Sequence, residues 1–301
     1  MLWRQIATIT AITLALDIFV VAEVDAQPFF GPRDLQPTGP KTLLAWQNAE
    51  SEEEEGEPDV VERIITDRPH IAEAASLVGL GRVQVETGYT FFLDHSGGSQ
   101  VQTHSFPEPL FRIGLFREWF EFRLQYNYLI ESTTGAAGSG LRRGSDDLYV
   151  GAKIALAEQS GMLPEFTIFP QMRVPVGHQA YSANAVLPGM NFAYAWMVTD
   201  KLEIEANTQV NKRRDDGIDH FYTEILQTVN FEYDLHEKVM VFNEFVLFSP
   251  VGAELANVEW YIHPGLHYFI MPNLQVDFHA GLGLNAAADD FFGGSGLSWR
   301  W

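Results

Sequence analysis

Phe291-Phe292-Gly293-Gly294-Ser295-Gly296-Leu297-Ser298-Trp299-Arg300-Trp301 closes the chain. Its apolar residues fall on alternate positions, which is the period of a strand and not of a helix. No strand follows to pair with it. The simplest way to satisfy its outer edge is to meet the first strand and close a barrel. In that reading Leu297 and Trp299 face outward, and Ser298 and Arg300 face the interior.

The same period recurs back to Gly81. Leu274, Val276, Phe278, Ala280, Leu282 and Leu284 alternate with Gln275, Asp277, His279, Gly281, Gly283 and Asn285. Leu202, Ile204, Ala206, Thr208 and Val210 alternate with Glu203, Glu205, Asn207, Gln209 and Asn211. Phe120, Phe122, Leu124, Tyr126 and Tyr128 alternate with Glu121, Arg123, Gln125 and Asn127. Twelve strands are expected, near 82–93, 108–116, 119–131, 146–157, 164–176, 186–199, 201–212, 219–233, 237–248, 257–270, 273–285 and 291–301. Alternation alone fits a soluble sandwich equally well. Strand length separates the two: soluble strands run about five or six residues, whereas strands that cross a bilayer need about 9–11. Most of these runs reach the longer class.

The connections point the same way. Those after odd-numbered strands are long: 94–107, 132–145, 177–185, 212–218 and 249–256, with a shorter last one, 286–290. Those after even-numbered strands are tight, as at Arg117-Glu118, Thr199-Asp200 and Met271-Pro272. Long outer loops and short periplasmic turns characterise outer-membrane barrels, and an even strand count leaves both termini in the periplasm. The expected fold is therefore all-β: a transmembrane antiparallel up-and-down barrel over residues 81–301. Tyr89, Phe91, Trp119, Phe120, Trp196, Trp260, Tyr268, Trp299 and Trp301 lie near strand ends and would form interface girdles. Trp299 and Trp301 would also serve as the assembly signal.

Upstream of the barrel the composition changes. Arg4 precedes the apolar stretch Ile6 to Val21, and Val24-Asp25-Ala26 offers small cleavage-site residues, so 1–26 reads as a secretory signal peptide. Residues 27–63 are Pro-rich and carry Glu50, Glu52, Glu53, Glu54, Glu55 and Glu57, which reads as a solvated acidic linker. The chain has no cysteine, which removes a lipoprotein anchor, disulfides and thiolate chemistry. A formal net charge of −21 disfavours nucleic-acid binding, which depends on basic residues that neutralise phosphates.

Several stretches resemble one family. They are Ile65-Thr66-Asp67-Arg68-Pro69-His70 with Gly81 to Tyr89, Asp146 to Lys153, Pro164 to Gly177, Pro264-Gly265-Leu266, Pro272 to Asp277, Gly281 to Asn285 and Asp289-Asp290-Phe291-Phe292. They are similar to the outer-membrane proteins associated with the meta-pathway of phenol degradation, often described as transporters. The resemblance covers about residues 64–301, with Thr66, Asp67, Arg68 and Pro69 as the N-terminal signature over 64–80. His70 stands where the family usually has an acidic residue. The resemblance implies an outer-membrane barrel and passage of small molecules; its link to hydrophobic or aromatic compounds is one of association. The aromatic-ended last strand is likewise similar to those of bacterial outer-membrane barrels.

A membrane barrel turns its polar face inward. The interior set would include Glu86, Glu121, Glu203, Glu205, Glu232, Glu259 and Asp277, set against Arg112, Arg123, Lys153, Arg173 and Arg300. Two arrangements are open. The charges segregate across a pore and set up a transverse field, or they pair and fill the interior. A narrow, mildly cation-favouring passage gated by 64–80 is the expectation. Arg68 either docks that segment onto interior carboxylates or caps a turn before the first strand.

Other classes are weaker. A phospholipase-like hydrolase would need a Ser and a His side by side, but in His95-Ser96 and His104-Ser105 strand neighbours face opposite ways. His263 and His267 are four residues apart, about 13 Å along a strand, too far for one ion. Asp215, Asp216 and Asp219 lack the spacing of a defined calcium loop. No metal, cofactor or enzymatic activity is expected. The function read from the sequence is an outer-membrane channel for small molecules. The alternative is a sealed structural barrel acting through its loops. Expected partners are outer-membrane lipids, the barrel-assembly machinery and an undetermined solute.

Overall fold

The computed structural model describes residues 41–48, 63–136, 138–215 and 218–301. The leader and most of the acidic linker lie outside these. Within the linker stretch, Leu43–Asn48 forms a short helix, α1, that lies against the barrel. The Thr42 hydroxyl accepts from the amide of Ala45 at its start. Among the described residues, no helix is long and apolar enough to cross a membrane.

Fifteen strands follow: β1 (Val83–Ser96), β2 (Ser99–Ser105), β3 (Leu110–Gly114), β4 (Phe120–Gln125), β5 (Tyr128–Gly135), β6 (Gly138–Ser145), β7 (Leu148–Ala157), β8 (Glu165–Val174), β9 (Leu187–Met197), β10 (Leu202–Arg214), β11 (Phe221–His236), β12 (Val239–Val251), β13 (Glu259–Met271), β14 (Leu274–Gly283) and β15 (Phe291–Arg300). Three wall strands are each broken once, as β2/β3, β4/β5 and β6/β7, so the wall has twelve strands. All pairings are antiparallel, and β15 pairs with both β14 and β1, which closes the barrel. The closing register runs from Gln84↔Arg300 to Leu93↔Phe291. Beyond it the amides of Val83 and Trp301 donate to each other's carbonyls, both at 3.0 Å.

Two stretches expected as loops are instead hairpin arms. Residues 94–107 continue β1 and return as β2, and 132–145 continue β5 and return as β6. Gly97 and Gly98, with φ of 58° and 78°, supply the tight turn of the first hairpin. The alternating run Gln100 to His104 then pairs along β1 and β5. This four-strand extension rises above the level at which all twelve strands close. Pro170 and Pro264 lie inside β8 and β13, and the ladder skips them, passing from Gly151↔Gln171 to Ile154↔Ile168 and from Ile262↔Leu282 to Gly265↔His279. Proline has no N–H to give.

Burial is inverted relative to a soluble protein. Phe278, Trp299 and Tyr268 are 52, 48 and 43% exposed, whereas Arg112, Lys153, Glu86 and Glu121 are fully buried. Of the expected girdle, Tyr89, Trp260, Tyr268, Trp299 and Trp301 are exposed on the outer face. Ser298 and Arg300 are buried on the inner side, and Leu297 and Trp299 are exposed.

Candidate functional site

The interior is occupied by the chain's own segment 63–80, a plug that enters and leaves at the end of the barrel that carries Trp301. Arg63 starts it with a two-pronged contact to Asp234, at 2.7 and 3.1 Å, and stacks over Phe269. The amide of Ile64 donates to the carbonyl of Pro272 in the β13–β14 turn. At its far end, Leu80 donates to Glu118 and Gly81 to the carbonyl of Gly114, which delivers the chain to β1.

Between those ends the plug has no regular structure, so its backbone groups need partners from the wall. Interior side chains supply them. Glu86 accepts from the amides of Asp67 and Arg68, at 3.0 and 2.8 Å. Glu244 accepts from Ile71 and Ala72. Glu121 accepts from Val78 at 2.9 Å. Asn207 both accepts from the amide of Glu73 and donates to its carbonyl. The carbonyls of Ala74, Ala75 and Ser76 accept from Lys153, Thr167 and Arg112.

Asp67 is the hub. Its Oδ1 accepts from Lys153 Nζ at 2.9 Å and from the plug's own Ala74 amide at 3.0 Å. Its Oδ2 accepts from Arg123 at 2.7 Å and lies 3.3 Å from Arg112. Arg112 also grips Glu121 and Glu86, and Arg123 grips Glu73 of the plug at 2.6 Å. Wall and plug therefore share one buried ion network. Such a network is sensitive to losing a member, because the partner is left charged and dry.

Arg68 docks the plug. It donates to Glu108 at 2.6 Å, and its Nε lies 3.6 Å from Asp277. Its guanidinium lies on the cross-strand pair Gly88↔Gly296, where a Cβ on either glycine would overlap it. The wall is thus shaped to receive this arginine. Of the two sequence readings of Arg68, the geometry is that of docking.

The remaining candidates are placed as follows. Glu86, Arg112, Glu121, Arg123, Lys153 and Asp277 meet around the plug's Asp67 and Arg68. Glu205 and Glu232 share the Asn230 amide on the opposite wall. Glu203 is half-buried on β10, and Arg300 is buried at the terminal end. Arg173 pairs with Asp146 near the other rim, and Glu259 accepts from the Tyr261 hydroxyl. Thr66 donates to the carbonyl of Arg68 and accepts from Gln275. His95 contacts Asp290, and His104 contacts Tyr89. Asp215 does not pair with Asp219; it accepts from the amides of Glu254, Leu255 and Ala256 and contacts His220. Asp216 lies outside the described residues.

Sequence reasoning missed Glu73, Glu108, Asn191, Asn207 and Glu244. They are polar residues at interior-facing or plug positions, and of the wall members among them only Asn207 lay on a face that the alternation marked as polar. What parity could not supply was their partner, which comes from residues up to 173 positions away, as in Ile71–Glu244.

Two clefts flank the plug. One lies on the side away from Trp301 and is lined by Glu73, Gln125, Tyr149, Gln171, Arg173, Gln209, Asn211, Lys212 and Arg213, among others. The other, a narrow crevice at the Trp301 end, lies between Arg63–Thr66 and residues of β11 to β14.

A comparison with curated proteins finds no match. Among solved structures, the chain is similar to an outer membrane channel of Pseudomonas putida F1, with a TM-score of 0.59 at 10% identity, covering 82% of this chain and 100% of that one. It is also similar to the translocator domain of the autotransporter NalP from Neisseria meningitidis, with a TM-score of 0.47 at 10% identity, covering 74% and 88%. The first likeness shows the fold alone. The sequence match to a family takes in most of the plug with the barrel: the chain belongs to the family described as "Putative MetA-pathway of phenol degradation", which it matches over residues 66–301.

Proposed function

We propose that the protein is an outer-membrane channel for small molecules, closed in this structure by its own plug. The observation that carries this reading is the pair of clefts on opposite faces of one plug segment. Residues 64–78 lie between them, held to the wall by polar contacts along much of their backbone and by small apolar clusters at Ile64, Ile71 and Ala75. Polar contacts can be exchanged for water when the segment moves, and the apolar clusters beside them take in few plug side chains, Ile64, Ile71 and Ala75. The apolar exterior supports a bilayer setting, because exposed aromatics beside buried charges suit lipid outside and a polar interior. In this reading the termini and the smaller cleft face the periplasm, and the β1–β2 and β5–β6 hairpins face outward.

The outer cleft is lined by amide groups with Arg173, Lys212 and Arg213 on its rim. It suits a small solute with polar groups, and Tyr149 offers an aromatic face. Glu73 lies at the floor, held by Arg123 and Asn191. Planar-bilayer recording tests the proposal. Discrete conductance steps are expected from the purified chain, more frequent when the Asp67 hub is weakened. If neither the wild type nor an assembled Asp67→Asn protein conducts, the sealed structural barrel is the correct reading.

A further inference from the structure

Away from the Asp67 hub, three metal-ligating side chains converge inside the barrel. His70 comes from the plug, Glu232 from β11 and His267 from β13, and all three are buried. Their donor atoms all lie within 4.8 Å of one another. His70 Nε2 is 3.1 Å from His267 Nε2 and 3.2 Å from Glu232 Oε1. We propose that these residues form a site for a divalent transition-metal ion, zinc by the chemistry of its donors, which fastens the plug to the wall.

The distances favour an ion. A tetrahedral zinc with bonds of about 2.0–2.1 Å holds its ligand atoms roughly 3.3 Å apart. The two contacts at His70 Nε2 are already close to that spacing.

Proton accounting favours it as well. His70 Nε2 faces both the His267 nitrogen and the Glu232 carboxylate, yet a ring nitrogen carries one proton or one lone pair. If Nε2 is protonated, it can donate to one of the two. If it is not, it can accept from His267 but turns a lone pair toward the carboxylate. One metal ion satisfies all three atoms. The neighbouring chain Glu244–His263–His279 has no such conflict. There His263 uses Nδ1 toward Glu244 and Nε2 toward His279, each at 2.9 Å, so each contact has its own nitrogen.

The surroundings fit. Gln275 lies 2.8 Å from His267 Nδ1. Its amide can present its oxygen there by a half-turn, the Thr66 hydroxyl then donating to that oxygen and giving up the Arg68 carbonyl. That arrangement would orient the ring as the partners of metal-bound histidines do. Asn230 holds Glu232 Oε1 at 3.2 Å and links it to Glu205, so carboxylate charge surrounds the site. Two imidazoles and one carboxylate select a transition metal over calcium or magnesium, which take oxygen ligands. Glu232 and His267 also line the cleft at the Trp301 end of the barrel.

The test uses the full chain, purified in detergent and stripped with a chelator. Zinc is titrated by calorimetry, and cobalt is titrated by its visible absorption. One high-affinity zinc per chain is expected, with cobalt giving the intense bands of a tetrahedral site. His70→Ala should abolish this binding. Because His70 lies on the plug, the barrel wall itself is unaltered, and heat-modifiable electrophoretic mobility checks its assembly. His267→Ala should abolish binding too, Gln275→Ala should weaken it roughly 10–100-fold, and His263→Ala should leave it in place. The proposal is overturned if the wild type binds no more zinc than His70→Ala, or if His263→Ala abolishes binding while His267→Ala does not.

Discussion

Replacing Asp67 with Asn keeps the shape of the hub and removes its charge. Among the described residues, Asp67 is the one carboxylate within ion-pair distance of Lys153, whose ammonium is fully buried. Its other contacts are the Ala74 and Ser76 carbonyls of the plug and the face of the Phe169 ring. Stranding a buried charge in this way costs about 3–5 kcal/mol. At 1.36 kcal/mol per tenfold, the docking equilibrium of the plug should fall by roughly 10²–10⁴. The barrel wall keeps its ladder, so the loss falls on docking and not on assembly.

A thiol probe reads this directly, because the chain contains no cysteine of its own. Ser76→Cys is nearly isosteric, and the Ser76 hydroxyl is buried without a hydrogen-bond partner. A membrane-impermeant thiol reagent should modify this position slowly in the wild-type background. It should modify it at least a hundredfold faster with Asp67→Asn, since labelling of a transiently opened segment tracks its opening equilibrium. Adding Lys153→Met removes the stranded charge while keeping the volume, and should restore much of the protection. Equal labelling rates with and without Asp67→Asn would refute the hub, as would failure of Lys153→Met to restore protection.

Two further outcomes follow from the geometry. Arg68→Ala and Gly296→Ala should both undo the plug's docking, because the first removes the guanidinium and the second fills its seat while also pressing on the Thr87 carbonyl of β1. Each should lose the contacts to Glu108 and Asp277 and raise Ser76→Cys labelling, whereas Gly140→Ala, in open space, should leave it unchanged. In the loop after β10, burial works against the charge on Asp215. The amide of Glu254, the His220 ring and the amides of Ala256 and Leu255 outweigh it and draw the pKa from 3.8 down to about 2. Because the folded value is depressed, the anchor is at full strength above pH 3.8 and is lost as pH falls through about 2. Amide exchange at Glu254–Ala256, corrected for its intrinsic pH dependence, should show protection that collapses over that window and is absent in Asp215→Asn.

The sequence by itself determined the barrel. A period of two is visible in any single strand, and it assigns each residue to one face without knowledge of its partner. Hairpin lengths then set the order of strands, and the inverted polarity set inside against outside. The interior positions of Glu86, Arg112, Glu121, Arg123 and Lys153 follow from parity alone. The broken strands were harder to read. Proline and acidic residues interrupt β2/β3 and β6/β7, and the Gly- and Ser-rich composition of 94–107 and 132–145 resembles a loop until a neighbour strand supplies the pairing.

The tertiary structure alone decided what fills the barrel. Residues 64–80 have no period, so nothing local tells a docked plug from a solvated linker. Their conformation is set by wall carboxylates and amides contributed from β1 to β15. Asp67 meets Lys153 across 86 positions, and His70 meets His267 across 197. Strand spacing placed His263 and His267 too far apart to share an ion. It could not show that each ring finds a different partner, because those partners lie on another strand and on the plug. Side-chain parity is a local property of the backbone, whereas the meeting of charges in a closed interior depends on the register of every strand around the wall.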